Sequence, residues 1–227
     1  MTGLKGEPFP SGGWLIKKPG YTYLSEAILC SLGLMVFSYF IHHEYPLRLI
    51  SFAGLLLASY FIGKNLRSYD ELKKITGDFP SFKTGFLWFL IGITGGILFA
   101  ALYRWHLDLT IVPKSIYVFA LVAALIGSLE ELVFRGFIQE HVRRVNAPLS
   151  ILFSTISHTG YKCCLFLSPV ITVNTDIGFL AFWTFFASII FGTIRHFSRS
   201  IIPSLVAHAI FDILVYAEFV NAPWWVW

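Results

Sequence analysis

Charge is what this sequence has least of. Only 13% of its 227 residues are Asp, Glu, Lys or Arg, about half the share of an ordinary soluble domain, so a wholly aqueous surface is excluded. Cysteine is also scarce. Cys30, Cys163 and Cys164 have neither metal-ligand spacing nor an even framework, which excludes a disulfide scaffold and a thiolate metal site. They read as small apolar packing residues, with acylation of the Cys163–Cys164 pair as the alternative. The net charge of +4 comes without a basic helix or an aromatic-interleaved basic patch, so nucleic acid is not an expected partner. No HExxH zinc motif occurs. A cleavable signal peptide is not expected either, because the apolar run begins only after Tyr21 and no small-residue cleavage site follows it.

What the chain has is hydrocarbon. Hydrophobic residues make up 56% and aromatics 18%, arranged in runs of which most are long enough to cross a bilayer core of about 30 Å as a helix. The expected fold is all-α, a polytopic transmembrane helix bundle of about seven spans, and its expected partners include the lipid bilayer. Residues 1–21 read as a polar cytoplasmic tail and 22–227 as one membrane-embedded domain with a motif core at 115–219. The spans are expected over Tyr23–Ile41, Leu47–Ile62, Thr84–Leu102, Ser115 to Arg143/Arg144, from Pro148 through His158, Gly178–Ile194 and Ile201–Phe219. A polar connection from Thr159 to Asp176 follows the fifth, and an extra half-helix there would make eight.

Smaller features complete the pattern. Leu66, Tyr69, Leu72 and Ile75, spaced by three with Asp70 four before Lys74, suggest a short amphipathic helix on the membrane surface. Gly92, Gly96 and Ala100 at four-residue spacing would let another helix approach closely. His42 and His43 fall in a short loop, and His141 and His196 at helix ends read as solvated or interfacial. Trp224, Trp225 and Trp227 read as an interfacial anchor. With the N-terminus in the cytoplasm, the inner segments hold twelve Lys and Arg and the outer ones only Arg48, Arg104, Lys114 and Lys162, which supports N inside and C outside. The expected location is a prokaryotic cell membrane or, in a eukaryote, the endoplasmic reticulum membrane.

One stretch breaks the hydrocarbon. Ser128-Leu-Glu-Glu-Leu-Val-Phe-Arg-Gly136 sets Glu130, Glu131 and Arg135 inside an apolar run, where each ionisable side chain costs roughly 2.5 to 3.5 kcal/mol at a helix centre. Such groups persist only if they face other helices. Arg135 lies one turn from Glu131 and can pair with it, whereas Glu130 points about 100° away and is left for chemistry. Three more polar residues lie within apolar spans: His158, His208 and Asp212, the last two on one helical face. At about 1.5 Å per residue, Glu130, His158 and His208 stand about 10 to 15 Å from the same end of their helices, within about one turn of a common level. Two glutamates and two histidines from three helices then define one candidate site.

These residues resemble the CAAX protease and bacteriocin-processing family of intramembrane peptidases, which includes the type II prenyl-protein endopeptidases. Glu130-Glu131-Leu-Val-Phe-Arg135-Gly136 matches its EExxxR signature. His208-Ala-Ile-Phe-Asp212 matches HxxxN/D. FxxxH is imperfect, because Ser154 stands four before His158 and the phenylalanine is Phe153. The resemblance implies a glutamic protease hydrolysing a peptide bond near the C-terminus or leader of a membrane-associated protein or peptide, prenylated tails included, with a pocket reached from the cytoplasmic leaflet. It implies Glu130 as the base that activates water, His158 polarising that water, His208 stabilising the oxyanion, and Glu131 with Arg135 as a supporting ion pair. Asp212, acceptor-only when ionised, is expected to orient His208. The resemblance leans to a mechanism without a cofactor, with zinc on Glu130, His158 and His208 as the alternative. The rival readings are a proton-coupled transporter, a haem protein and a non-catalytic scaffold or immunity-type protein.

Overall fold

The computed structural model describes residues 19–66, 69–79, 81–170 and 176–220. The N-terminal tail and the Trp224, Trp225 and Trp227 anchor lie outside them, apart from the tail's last residues. Among the described residues there is no strand, only an isolated bridge between Gly77 and Ser200. The helices are α1 (Gly20–Phe40), α2 (Arg48–Asn65), α3 (Tyr69–Thr76), α4 (Phe82–His106), α5 (Val118–Glu131), α6 (Gln139–Arg143), α7 (Ala147–Leu167), α8 (Ile177–Ser198) and α9 (Ile202–Val215). A π-helical turn, Leu132–Ile138, joins α5 to α6 without a break.

Apolar length alone qualifies three of these helices as spans, α1, α4 and α8, or four if α2 and α3, bent by 112°, count as one. The expected seven is therefore not reached on that criterion. The physical reason is polarity turned inward: α5 and the π turn carry Glu130, Glu131 and Arg135, and α7 buries Ser150, Ser154, Thr155 and Ser157. α9 has only 14 residues, about 21 Å at 1.5 Å per residue, well short of a bilayer core of about 30 Å. It stops at Val215 rather than at Phe219 because the chain turns there, and the Ala217 carbonyl accepts the Tyr117 N–H at 2.8 Å, tying the end of α9 to the start of α5.

Packing follows from small residues. The row Gly92, Gly96, Ala100 lies against α9, where a Cβ on Gly92 would stand 3.1 Å from the Pro203 Cα and one on Gly96 3.1 Å from the Ala207 Cα. Two helix backbones approach this closely only where no side chain intervenes. α5 also packs on α9, α7 on α8, and α1 on α2 and α7. Cys30 is buried in the core that α1 shares with Ala58, Phe134 and Phe137.

Three local expectations change. The surface helix is only Tyr69–Thr76, and of its apolar positions Ile75 alone is buried, while Tyr69 and Leu72 remain exposed. Lys74 pairs with Glu71 at 2.6 Å rather than with Asp70, and Arg144 takes the other Glu71 oxygen at 2.9 Å. Burial raises the Glu71 carboxyl, but Lys74 and Arg144 more than offset this and hold it below the usual range. His141 is not solvated: it is wholly buried, with Nδ1 3.0 Å from the Phe137 carbonyl and Nε2 3.5 Å from Glu26. His43 is buried too, 3.3 Å from Ser168 Oγ. Finally, α7 does not give way to a polar connection at Thr159 but continues to Leu167.

Candidate active site

Adjacent residues on a helix point about 100° apart, and here the two glutamates serve different neighbours. Glu130 faces α7, with Oε2 3.1 Å from His158 Nε2. Glu131 faces α9, with Oε1 3.0 Å from His208 Nδ1. Arg135 lies in the π turn, a local widening of the helix that recurs at functional sites. Its Nη2 is 3.5 Å from Glu131 Oε1, and its two terminal nitrogens are 3.4 and 3.3 Å from His158 Nδ1.

That last contact assigns a tautomer. A guanidinium only donates, so His158 Nδ1 is the acceptor, receiving Arg135 and the Ser188 hydroxyl at 2.9 Å. The proton then sits on Nε2 and is donated to Glu130. Phe134 stacks on the His158 ring with centroids 4.5 Å apart. The departure from FxxxH is thereby accounted for: Ser154 donates to the Phe134 carbonyl at 2.7 Å, tying α7 to the π turn, while Phe153 turns to the core shared with α1.

All six expected side chains are buried in one cluster. His158 and His208 stand with ring centroids 6.1 Å apart. Asp212 Oδ2 is 3.6 Å from His208 Nε2, too long for a hydrogen bond but close enough for a charge to be felt. Gly127 makes the meeting of α5 and α9 possible, since a Cβ there would lie 2.9 Å from His208 Cδ2 and would collide with the Asp212 carboxylate.

One participant was placed elsewhere by the sequence. Lys162, expected in an outer loop, is on α7 one turn beyond His158, with Nζ 2.5 Å from Glu130 Oε1. Glu130 is therefore not free, as expected, but held by a histidine and an ammonium. The four-residue spacing from His158 is the signal that would have found it, had the helix been continued past Thr159. Ser188 carried no signal of its own in the sequence.

A narrow cleft of about 90 Å³ runs from His158 and His208 past Lys162 and Asp212 to Tyr103 and Trp183. These last two lie toward the end of the bundle where α4 ends and α8 begins. The expected approach from the inner, basic end is thus reversed: the cleft leads toward the opposite end, the one that carries the α4–α5 connection. A zinc would have to be held by Glu130, His158 and His208, whose present neighbours are these. Glu130 is taken by Lys162, both His208 nitrogens face carboxylates, and no three His, Cys, Asp or Glu side chains among the described residues are grouped to hold one.

Residues 112–214 match the family model described as "Type II CAAX prenyl endopeptidase Rce1-like". Over that segment, a little under half of its length, the chain is similar to the CAAX protease family. The segment holds every residue of the cluster, from Gly127 to Asp212. The family is one of proteases, and with the apolar helices it points to an integral membrane protein. No curated protein and no solved structure matches the chain.

Proposed function

We propose that the chain is an intramembrane endopeptidase of seven spans that hydrolyses a peptide bond near the C-terminus or leader of a membrane-associated protein, with water activated by Glu130. The observation that carries this reading is the pairing of Glu130 with His158 at 3.1 Å beside a cleft that His208 also lines. A carboxylate fixed by the Nε2–H of one imidazole, facing a second across a space open to the cleft, suits general-base work on a water. His158 acts here by aiming Glu130 more than by binding the water itself.

The proposed sequence is short. Substrate enters along Tyr103 and Trp183, and its carbonyl oxygen draws the Lys162 ammonium off Glu130. Glu130 takes a proton from water as the water oxygen bonds to the carbonyl carbon. The oxyanion so formed is met by Lys162 and by His208, whose Nδ1–H rests on Glu131 and whose Nε2, once protonated, donates to it. Glu130 returns its proton to the leaving nitrogen as the C–N bond breaks. Two peptides result, one ending in a new carboxylate and one in a new amine.

No metal is needed in this scheme, because Lys162 and Arg135 already supply the positive charge. Glu130→Gln should abolish cleavage of lipidated and unlipidated tail peptides in reconstituted vesicles. Exhaustive chelation should leave wild-type cleavage intact. Full activity in Glu130→Gln would overturn the assignment of the base, and activity lost on chelation and restored by zinc would overturn the metal-free scheme.

A further inference from the structure

At the end of the bundle opposite the cleft, Arg143, Arg195, His196, Phe197 and Arg199 line an open hollow. Three guanidiniums meet there, and the carboxylate tied to them is Glu140, bound by Arg143 at 2.7 and 2.8 Å and 3.8 Å from Arg195. We propose that this hollow binds a phosphate-bearing anion, the headgroup of an anionic phospholipid.

Burial is the first argument. Arg195 is only 5% exposed, yet its Nε has no hydrogen-bond partner, and its Nη2 has the Lys74 and Ile75 carbonyls at 3.3 and 3.2 Å with Glu140 farther off at 3.8 Å. The buried Nδ1 of His196 also has none. A buried guanidinium short of acceptors is costly, and a phosphate oxygen in the hollow that Arg195 lines, able to accept charge-assisted bonds from several donors, would add an acceptor for it. The C-terminal dipole of α8 favours cations near its end. It does not account for Arg143, which comes from another helix.

Rigidity is the second. Arg199 closes α8 with φ of 60°, a left-handed conformation that costs a side-chain-bearing residue about 1–2 kcal/mol. Its backbone is pinned by the Gly77–Ser200 bridge and by the Ile201 N–H donating to the Thr76 carbonyl at 2.8 Å. An exposed arginine is thus launched from a fixed turn toward the same hollow as Arg143 and Arg195.

The lipid source follows from position. α8 is apolar and long enough to span, so its end lies at headgroup depth. Phe197, on the rim, is 63% exposed, giving acyl chains an apolar surface that free phosphate would not use. Basic pockets beside membrane helices are suited to such headgroups.

The test uses full-length protein in neutral detergent and native mass spectrometry, titrated with dioleoylphosphatidylglycerol or dioleoylphosphatidylcholine. Phosphatidylglycerol should be retained and phosphatidylcholine should not. Arg199→Gln should weaken phosphatidylglycerol binding about tenfold, as expected for one charge-assisted phosphate contact, and Arg199→Lys should recover part of it. Lys83→Gln, an exposed lysine at the same end outside the hollow, should change little. Equal retention of the two lipids, or equal losses in Arg199→Gln and Lys83→Gln, would overturn the site. Complete displacement by millimolar inorganic phosphate would overturn the lipid as its occupant.

Discussion

Lys162 and Glu130 form an ion pair of 2.5 Å inside the bundle, beside the hydrogen bond from His158 to the same carboxylate. The lysine side chain is 23% exposed and the glutamate 8%, so the pair is sheltered enough for each charge to depend on the other. Breaking such a pair from one side costs more than removing both partners, because a buried charge is left uncompensated. Lys162→Met should therefore lower stability in detergent by about 3 kcal/mol. Glu130→Gln combined with Lys162→Met should recover most of that loss. Additive effects in a thermal-unfolding cycle would show that the two charges do not interact.

If Lys162 also meets the oxyanion, its removal should be felt in kcat rather than KM. Loss of one oxyanion donor lowers kcat by about 10² to 10³. Steady-state kinetics of Lys162→Met on a tail peptide would read the split, and an unchanged kcat would confine Lys162 to holding Glu130 at rest.

Gly127 sets the distance between α5 and α9. A methyl group there would stand 3.0 Å from His208 Nε2 and would collide with Asp212, so Gly127→Ala must push the two helices apart or turn His208 away. Overpacking of this kind costs about 1–3 kcal/mol. Cleavage should fall far more than stability does, which parallel measurement of kcat/KM and melting temperature would show.

Much of this arrangement was legible in the sequence, and the parts that were not share a physical cause. Glu130, Glu131, Arg135, His158, His208 and Asp212 stood out because lipid penalises each of them; depth put Glu130, His158 and His208 at a common level, and helix spacing tied the other three to them. Lys162 was hidden by that same penalty: a lysine in a polar stretch reads as a loop until its partner is known. The π turn left no mark in composition, and its consequence, Phe134 over His158 with Ser154 on the Phe134 carbonyl, could not be read from the FxxxH register. The direction of the cleft depends on which helix halves separate, and that lies in packing rather than in hydropathy.

Asp212 tests how His208 is controlled. With His208 Nδ1 on Glu131 at 3.0 Å and Nε2 3.6 Å from Asp212, the ring lies between two carboxylates and only Glu131 holds it by a hydrogen bond. If the role of Asp212 is to orient the ring, Asp212→Asn preserves a polar partner and should retain much activity, whereas Asp212→Ala should lose it. Equal loss in both would show that the negative charge itself is required.

Lys83, at the start of α4, and Lys114, between α4 and α5, lie at opposite ends of the bundle. In a background without Cys30, Cys163 and Cys164, Lys83→Cys and Lys114→Cys should react with an impermeant maleimide from opposite faces of the membrane. Moving Lys162 from loop to site leaves Arg48, Arg104 and Lys114 at the cleft end, against Lys64, Lys73, Lys74, Lys83, Arg143, Arg144, Arg195 and Arg199 among the described residues at the other. The basic-residue rule therefore puts Lys83 in the cytoplasm, and Lys114→Cys should be the one labelled on intact cells. The cleft would then receive peptide tails presented on the outer face. The reverse labelling would put Tyr103 and Trp183 at the cytoplasmic leaflet, where a lipidated C-terminal tail resides, and would make such tails the substrates to assay first.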